Sequence, residues 1–280
     1  MSSGSGSPCE VSVIIATFRR EKLVLEALAS ALSQDGVSVE AIVVDDSPDA
    51  SARKAIESVR DPRVRYLVHA PPTGGKPGSV RNEGARHARG RFVHFLDDDD
   101  RLADGALRAL VDALTNSPHL GMAFGRVVPF GDNERILARE TAYFDRAARN
   151  AARIRGRKLR FALQMLFGEG LFVNSACMVS REVFSASGGY DTSLAIAEDT
   201  EFYLRVGRAH GFAFVDRPVL HYRTGGESLT SAVKSGGWDE RVLVTYGTMY
   251  EKYRRDFGVS EFLALKVLGR LSRLPWIQRV

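Results

Sequence analysis

Residues 92–100 read FVHFLDDDD, a short apolar run that ends in four consecutive carboxylates, Asp97, Asp98, Asp99 and Asp100. Phe92 to Leu96 has the length and composition of a strand in the middle of a sheet. Four acidic side chains in a row repel one another, so stability alone does not select them. A divalent cation resolves the conflict, because Mg²⁺ or Mn²⁺ takes oxygen ligands and commonly bridges one or two carboxylates to substrate phosphates. The same run also reads as a solvated acidic turn that caps the next helix. Its position directly after a mid-sheet strand favours the cation.

Working outward, Val11 to about Gly131 alternates short β-branched runs with amphipathic stretches, the pattern of βαβ units on a parallel sheet. Val11 to Ala16 is a strand, and Leu23, Leu25, Leu28, Ala29 and Leu32 follow at helical spacing with Gly36 as the stop. Val39 to Val44 is a strand ending in Asp45 and Asp46, and Ser47 and Pro48 lead into a helix from about Asp49 to Val59. Val64 to Val68 is a strand, Pro71 to Gly78 a loop, Ser79 to Ala88 a helix stopped by Gly90, and Asp104 to Leu114 another helix. In open α/β sheets ligands gather at the carboxyl ends of strands, where Thr17, the Asp45/Asp46 pair and the aspartate run would meet.

The second half is less regular. Strands are expected at Met122 to Val128, Phe172 to Val179 and Ala213 to Val215, a turn at Ser187 to Asp191, and a helix at Glu198 to His210. A loop around Thr224 to Glu227 precedes helical segments from about Trp238. The organisation is a flexible tail over 1–9, one α/β domain over 10–230 and a helical C-terminal extension over 231–280.

With 280 residues, 44% hydrophobic and 26% charged, the chain is neither fibrous nor wholly disordered. Cys9 and Cys177 are the two cysteines, which excludes a disulfide scaffold or a cysteine-rich zinc site and points to a reducing, cytoplasmic compartment. No run of about 18 apolar residues exists, and Phe262 to Leu268 is interrupted by Lys266. Met1 to Pro8 lacks the charged and apolar regions of a secretory signal. The segment TGGKPGS over 73–79 is not a Walker A loop, since Pro77 follows Lys76, and the first strand runs into Thr17, Phe18, Arg19 and Arg20 without a dinucleotide glycine fingerprint. The net charge of +5 suits an anionic partner, but no basic stretch belongs to a nucleic-acid module, so nucleic acid is not expected. The basic segment Arg146 to Arg160 and the C-terminal LGRLSRLPWIQRV could make a peripheral contact with anionic lipid at the inner membrane face, a solvated helix face being the simpler account of the first.

Several of these stretches carry a resemblance. VSVIIATFRR, the strand-ending VVDDS, GSVRNEGARHARG, FLDDDD and AEDTEFYLRV occur in the order seen in family 2 glycosyltransferases, and the likeness covers about Val11 to Arg223. It implies the GT-A fold, a Rossmann-like mixed central sheet flanked by helices. It also implies an inverting transfer from a nucleoside-diphosphate sugar, most commonly a UDP-sugar, with Mn²⁺ or Mg²⁺ held by a DxD-type motif.

Residue by residue, the resemblance puts Ala16, Thr17 and Phe18 in the nucleotide pocket, with Phe18 where relatives stack a Tyr on the base. Asp46 would accept from the base edge, Asp97 and Asp99 would bind metal, and Asp98 or Asp97 would lie near the ribose or donor sugar. Lys76 and Arg81 fall where relatives place cations. Asp199 matches the general base, and an inverting transfer needs one base to deprotonate the acceptor while cations stabilise the leaving diphosphate. A helix-start carboxylate favoured by the dipole is the plainer reading of Asp199 from sequence.

Two departures stand out: Arg19 occupies a common Asn position, and His221 precedes Tyr222 and Arg223 where relatives place a His afterwards. The acceptor would be a hydroxyl on a glycan, a lipid-linked sugar or a small molecule, in polysaccharide or glycoconjugate assembly. The alternative is an inactive nucleotide-sugar-binding protein of the same fold.

Overall fold

Continuous apolar sequence puts β1 (Val11–Thr17), β2 (Val39–Asp45) and β4 (Phe92–Asp97) in the sheet interior, where both faces must be covered. The computed structural model describes residues 9–74, 76–154, 156–194, 196–225 and 240–271, side chains of 240–242 excepted. The tail before Cys9, the loop expected up to Glu227 and the end of the chain after Leu271 lie largely or wholly outside these residues. The remaining strands are β3 (Val64–Val68), β5 (Arg101–Leu102), β6 (Met122–Phe130), β7 (Cys177–Ser180) and β8 (Phe212–Arg223). Their order is β3-β2-β1-β4-β7-β6-β8-β5. The first four are parallel, β7 runs antiparallel between β4 and β6, and β6 and β8 pair in parallel with the short β5 antiparallel at the edge.

Alternation along β1 divides the core. Val13 and Ile15 face a layer shared with α1 (Glu21–Leu32) and α4 (Ala106–Thr115), through Leu28, Leu107 and Leu110. Ile14 faces the other layer, built by α3 (Pro77–Arg86), α6 (Lys158–Phe167) and α8 (Glu198–His210). Gly84 lets α3 lie directly on the sheet: a Cβ there would come within 2.5 Å of Ile14. The C-terminal helices α9 (Glu240–Phe257) and α10 (Val259–Leu271) add Met249, Tyr253, Phe262 and Leu265 to the same layer, so the expected extension shares the domain's core.

Four local expectations change. The helix expected over Asp49 to Val59 contracts to α2 (Arg53–Glu57), because Asp45 accepts hydrogen bonds from the amides of Ser47 and Ala52 and holds the intervening residues in a turn. Phe172 to Val179 is not one strand: Asn174–Ala176 is a 3₁₀ turn before β7, and it points two polar side chains at the end of β4. The strand expected at Ala213 to Val215 runs on to Arg223 past register shifts opposite Gly125 to Val127, where Gly125 leaves room for Val219. The basic segment Arg146 to Arg160 divides between α5 (Glu134–Ile154) and α6. The short α7 (Arg181–Ala186) and β5 are too brief for periodicity to reveal.

His94 is the polar exception within β4. It is buried among apolar neighbours and neither ring nitrogen has a partner among the described residues. Burial pushes its pKa down to about 4, against about 6.5 in the unfolded chain. A depressed histidine favours the fold above its unfolded pKa, and that advantage is lost as pH falls through the window from 6.5 to 4. Linkage puts the loss at about 2 kcal/mol by pH 5. Urea midpoints measured from pH 7.5 to 5 should therefore fall less in His94→Met than in wild type, and parallel curves would show that His94 does not set the acid limit.

Candidate functional site

The parallel pairing of β1 with β4 brings Thr17 beside the aspartate run. Thr17 Oγ1 donates to Asp98 at 2.7 Å, and Arg20 Nη1 donates to Asp98 and Asp99, each at 2.9 Å. Asp98 is buried, and burial outweighs Arg20 and Thr17 to push its pKa up to about 6. Asp99 is also raised, first by burial and then by the neighbouring charge of Asp97, with Arg20 opposing. Asp100 is buried beneath the run, where one oxygen accepts from the Arg223 amide at 3.0 Å and the other has no partner among the described residues. Arg223 Nε also donates to the Asp99 carbonyl, so the end of β8 clamps the turn.

A second knot joins β4 to α8. Arg81, buried on α3, donates to Asp97 Oδ1 at 2.6 Å and to Glu198 Oε1 at 2.5 Å, beneath the ring of Tyr190. Asn174 Nδ2 adds a bond to Asp97 Oδ1 at 3.1 Å, and Ser175 Oγ accepts from the Asp97 amide at 3.0 Å. Burial lifts the pKa of Glu198 to about 7 even with Arg81 opposing it. Asp199 stands next to it in the first turn of α8, half-buried, accepting from the Thr200 amide at 2.7 Å. Its pKa is raised by burial, with Arg81 opposing. The residue before this pair, Ala197, is held at φ 53°, a left-handed conformation that a non-glycine adopts at a cost and that recurs at functional sites.

Asp46 lies at the end of β2, where it accepts from the amide of Thr73 at 2.8 Å and its hydroxyl at 2.7 Å. Asp45 is taken by the scaffold, accepting from Ser47, Ala52 and Tyr66. Phe18 is 40% exposed at the rim with Arg19 over its ring, and Ala16 is half-buried. Of the sequence-derived candidates, five fall in a two-part network: Thr17, Asp98 and Asp99 are joined through Arg20, and Arg81 holds Asp97 and Glu198, with Asp199 adjoining Glu198 at the far end. Lys76 is exposed, and its side chain stands outside that network. Asn82, beside Arg81, pins the turn at Tyr190 through bonds in both directions. Sequence reading passes over Arg20, Asn174 and Tyr190: a second Arg in FRR and an isolated NS dipeptide carry no periodic or motif signal.

The donor set suits a hard cation. Asp97 and Asp99 are hard oxygen donors, the charge of Asp97 helps to raise the pKa of Asp99, and both remain partly open, their side chains 33% and 23% exposed. No group of three or more His, Cys, Asp or Glu ligands converges among the described residues. A cation here would complete its shell with water and phosphate oxygens, as Mg²⁺ commonly does.

Fold and site together define a class, that of glycosyltransferase domains with the GT-A fold. More narrowly, the chain belongs to glycosyl transferase family 2, whose model matches residues 12–188. Among curated relatives, succinoglycan biosynthesis protein ExoO of Rhizobium meliloti is 35% identical over 103 residues, 37% of this chain and 29% of that protein. The GalNAc(5)-diNAcBac-PP-undecaprenol beta-1,3-glucosyltransferase of Campylobacter jejuni is 36% identical over 104 residues, 36% of this chain and 33% of that one. The chain thus spans about a third of the length of these relatives. In structure it is similar to a crystal structure of S. aureus TarS 1–349 in complex with UDP-GlcNAc, with a TM-score of 0.67 at 17% identity over 94% of this chain and 73% of that one.

Proposed function

We propose that the protein is a metal-dependent inverting glycosyltransferase that moves a sugar from a UDP-sugar to a hydroxyl acceptor in glycan or glycoconjugate assembly. One observation carries the reading: two carboxylate groups, Asp97 to Asp99 and Glu198/Asp199, stand on opposite sides of the buried Arg81. In this reading one carboxylate group would hold the cation that offsets the charge of the leaving diphosphate, and the other takes the acceptor's proton. The UDP-GlcNAc complex of the similar TarS structure supports a uridine donor, and the undecaprenol-linked name of the Campylobacter relative supports a lipid-linked acceptor.

In this reading Phe18 stacks on the base, Ala16 and Thr17 line its pocket, and Asp46 accepts from the base edge. Asp98, oriented by Thr17 and Arg20, faces the ribose. Asp97 and Asp99 would hold Mn²⁺ or Mg²⁺, which supplies positive charge to the leaving diphosphate. Arg81 uses two donors on carboxylates, so it serves the nucleotide by fixing Asp97. Lys76 is free to reach phosphate from the exposed start of α3. Asp199 removes the acceptor proton as the acceptor oxygen attacks the anomeric carbon. The bond to the diphosphate oxygen breaks with inversion.

Thermal unfolding with UDP, GDP, dTDP and ADP, each with and without Mn²⁺ or Mg²⁺, tests the donor assignment. Ligand at 100 times its dissociation constant adds about 2.7 kcal/mol, a rise of about 5 °C or more at this size. UDP with metal should give that rise, and Asp99→Ala should lose its metal-dependent part. Equal stabilisation of Asp99→Ala by UDP with metal would remove Asp99 from the ligand set, and no rise with any nucleotide would count against the donor site.

A further inference from the structure

The last described helix, α10, is apolar on both sides. Phe262, Leu265 and Gly269 turn inward, with Phe262 against Phe167 and Tyr250, and Gly269 close enough to Phe167 that a Cβ would meet it at 2.7 Å. The outward side carries Val259, Leu263, Val267, Leu268 and Leu271, each between 41% and 56% exposed. Four of these recur every fourth residue, which aligns them in one stripe along a helix. The exposed polar positions of the helix are Ser260, Lys266 and Arg270. Its one carboxylate, Glu261, is turned toward α8, where Arg208 holds it with two bonds of 2.8 and 2.5 Å. Neither Lys266 nor Arg270 has a carboxylate partner among the described residues, and Arg254 of α9, over the Phe262 ring, adds a third cation near this edge.

A surface helix ordinarily shows water a polar face, and one that is apolar all round is covered by something. Thirteen residues make about 20 Å of helix, too short to cross a bilayer's hydrocarbon core, and no described helix is long and apolar enough to do so. A second copy of the chain is a poor cover, because an isologous contact would meet the same aliphatic and cationic face with no acid to pair its cations. Aliphatic residues flanked by unpaired Lys and Arg, with the helix's acid withdrawn, match instead the boundary between anionic headgroups and acyl chains.

We infer that the outward face of α10 is a peripheral membrane-docking surface that lies in the plane of an anionic phospholipid interface. The aliphatic stripe enters the acyl boundary while Lys266 and Arg270 stay at headgroup level, their stems along the apolar surface. The inference is independent of the donor chemistry, since it concerns a surface that needs neither nucleotide nor metal to bind.

Co-sedimentation of the full chain with vesicles tests it directly. Binding should be about tenfold or more tighter to phosphatidylglycerol/phosphatidylcholine vesicles than to phosphatidylcholine alone, and should weaken with salt. The variant Leu263→Ser/Val267→Ser should lower binding to the anionic vesicles about tenfold or more. Lys266→Glu/Arg270→Glu should abolish the preference for anionic lipid. All four positions are exposed, so circular dichroism spectra should match wild type. UDP-induced thermal shifts should be unchanged in both variants, which separates this surface from the donor site. Wild-type protein that stays in the supernatant with every vesicle would overturn the inference. So would wild-type-like vesicle binding by Leu263→Ser/Val267→Ser, or a concentration-dependent dimer in sedimentation equilibrium that the same substitutions dissociate.

Discussion

Asp199→Asn is expected to lower the rate of sugar transfer by about 10²- to 10⁴-fold, the span a positioned general base contributes. The amide keeps the size of the carboxylate and can still accept from the Thr200 amide, so α8 should retain its start. UDP with metal should stabilise the variant as it does the wild type, because Asp199 lies at the far end of the Arg81 knot from the nucleotide strands. This pairing of lost turnover with kept nucleotide affinity separates an enzyme from an inactive nucleotide-sugar-binding protein. A variant that turns over like the wild type would remove Asp199 as the base. The pH dependence follows from burial, which raises the Asp199 pKa and leaves part of the population protonated in mild acid. Since the base must be ionised, the rate should climb with rising pH on the acid side, and that limb should vanish in the variant.

Arg81→Met carries the largest expected loss of stability, about 3–5 kcal/mol at pH 8, the cost of breaking a buried ion pair from one side. Most of the loss comes from Glu198, whose side chain is 6% exposed, whereas Asp97 at 33% can turn to water. Glu198 already has a raised pKa with Arg81 present, and losing the guanidinium drives it higher. A carboxyl with a raised folded pKa favours the fold while protonated, and that advantage is lost as pH rises through the folded value. The deficit of Arg81→Met against wild type should therefore shrink between pH 8 and pH 5. Adding Glu198→Gln should recover a large part of it by replacing the stranded charge with a neutral group. Urea unfolding of the two variants at both pH values measures each quantity. A double variant no more stable than Arg81→Met would show that the pair is not what the substitution breaks.

The parallel half of the sheet was legible because each of its strands is a buried apolar run bounded by turn residues. Asp97 to Asp100 advertised themselves by mutual repulsion, a cost that composition alone exposes. The loop after β2 carries a helical pattern in sequence, because the bonds that the Ser47 and Ala52 amides donate to the Asp45 side chain leave no trace in helical periodicity. Asn174 and Ser175 were hidden for a related reason. They lie in a stretch with strand-like composition, and their role comes from a 3₁₀ turn that tertiary contact with β4 imposes. Arg20 ends the stretch VSVIIATFRR, where nothing local marks it as a partner of the aspartates. Its place between Asp98 and Asp99 depends on β1 and β4 being neighbours, which sequence order does not reveal.

The sheet changes direction at β7, four residues that join β4 on one side to β6 on the other. Every residue assigned to the donor precedes this seam in the chain, while the assigned base follows it. In the proposed reading the chain is thus ordered along its length, donor before acceptor chemistry, yet the two sides are bolted together: Arg81 reaches across to Glu198, and Arg223 holds Asp99 and Asp100. A second half grafted from elsewhere would therefore have to bring its own partners for Arg81 and for the Asp99–Asp100 turn, so these cross-seam bonds act as a compatibility lock between the two halves.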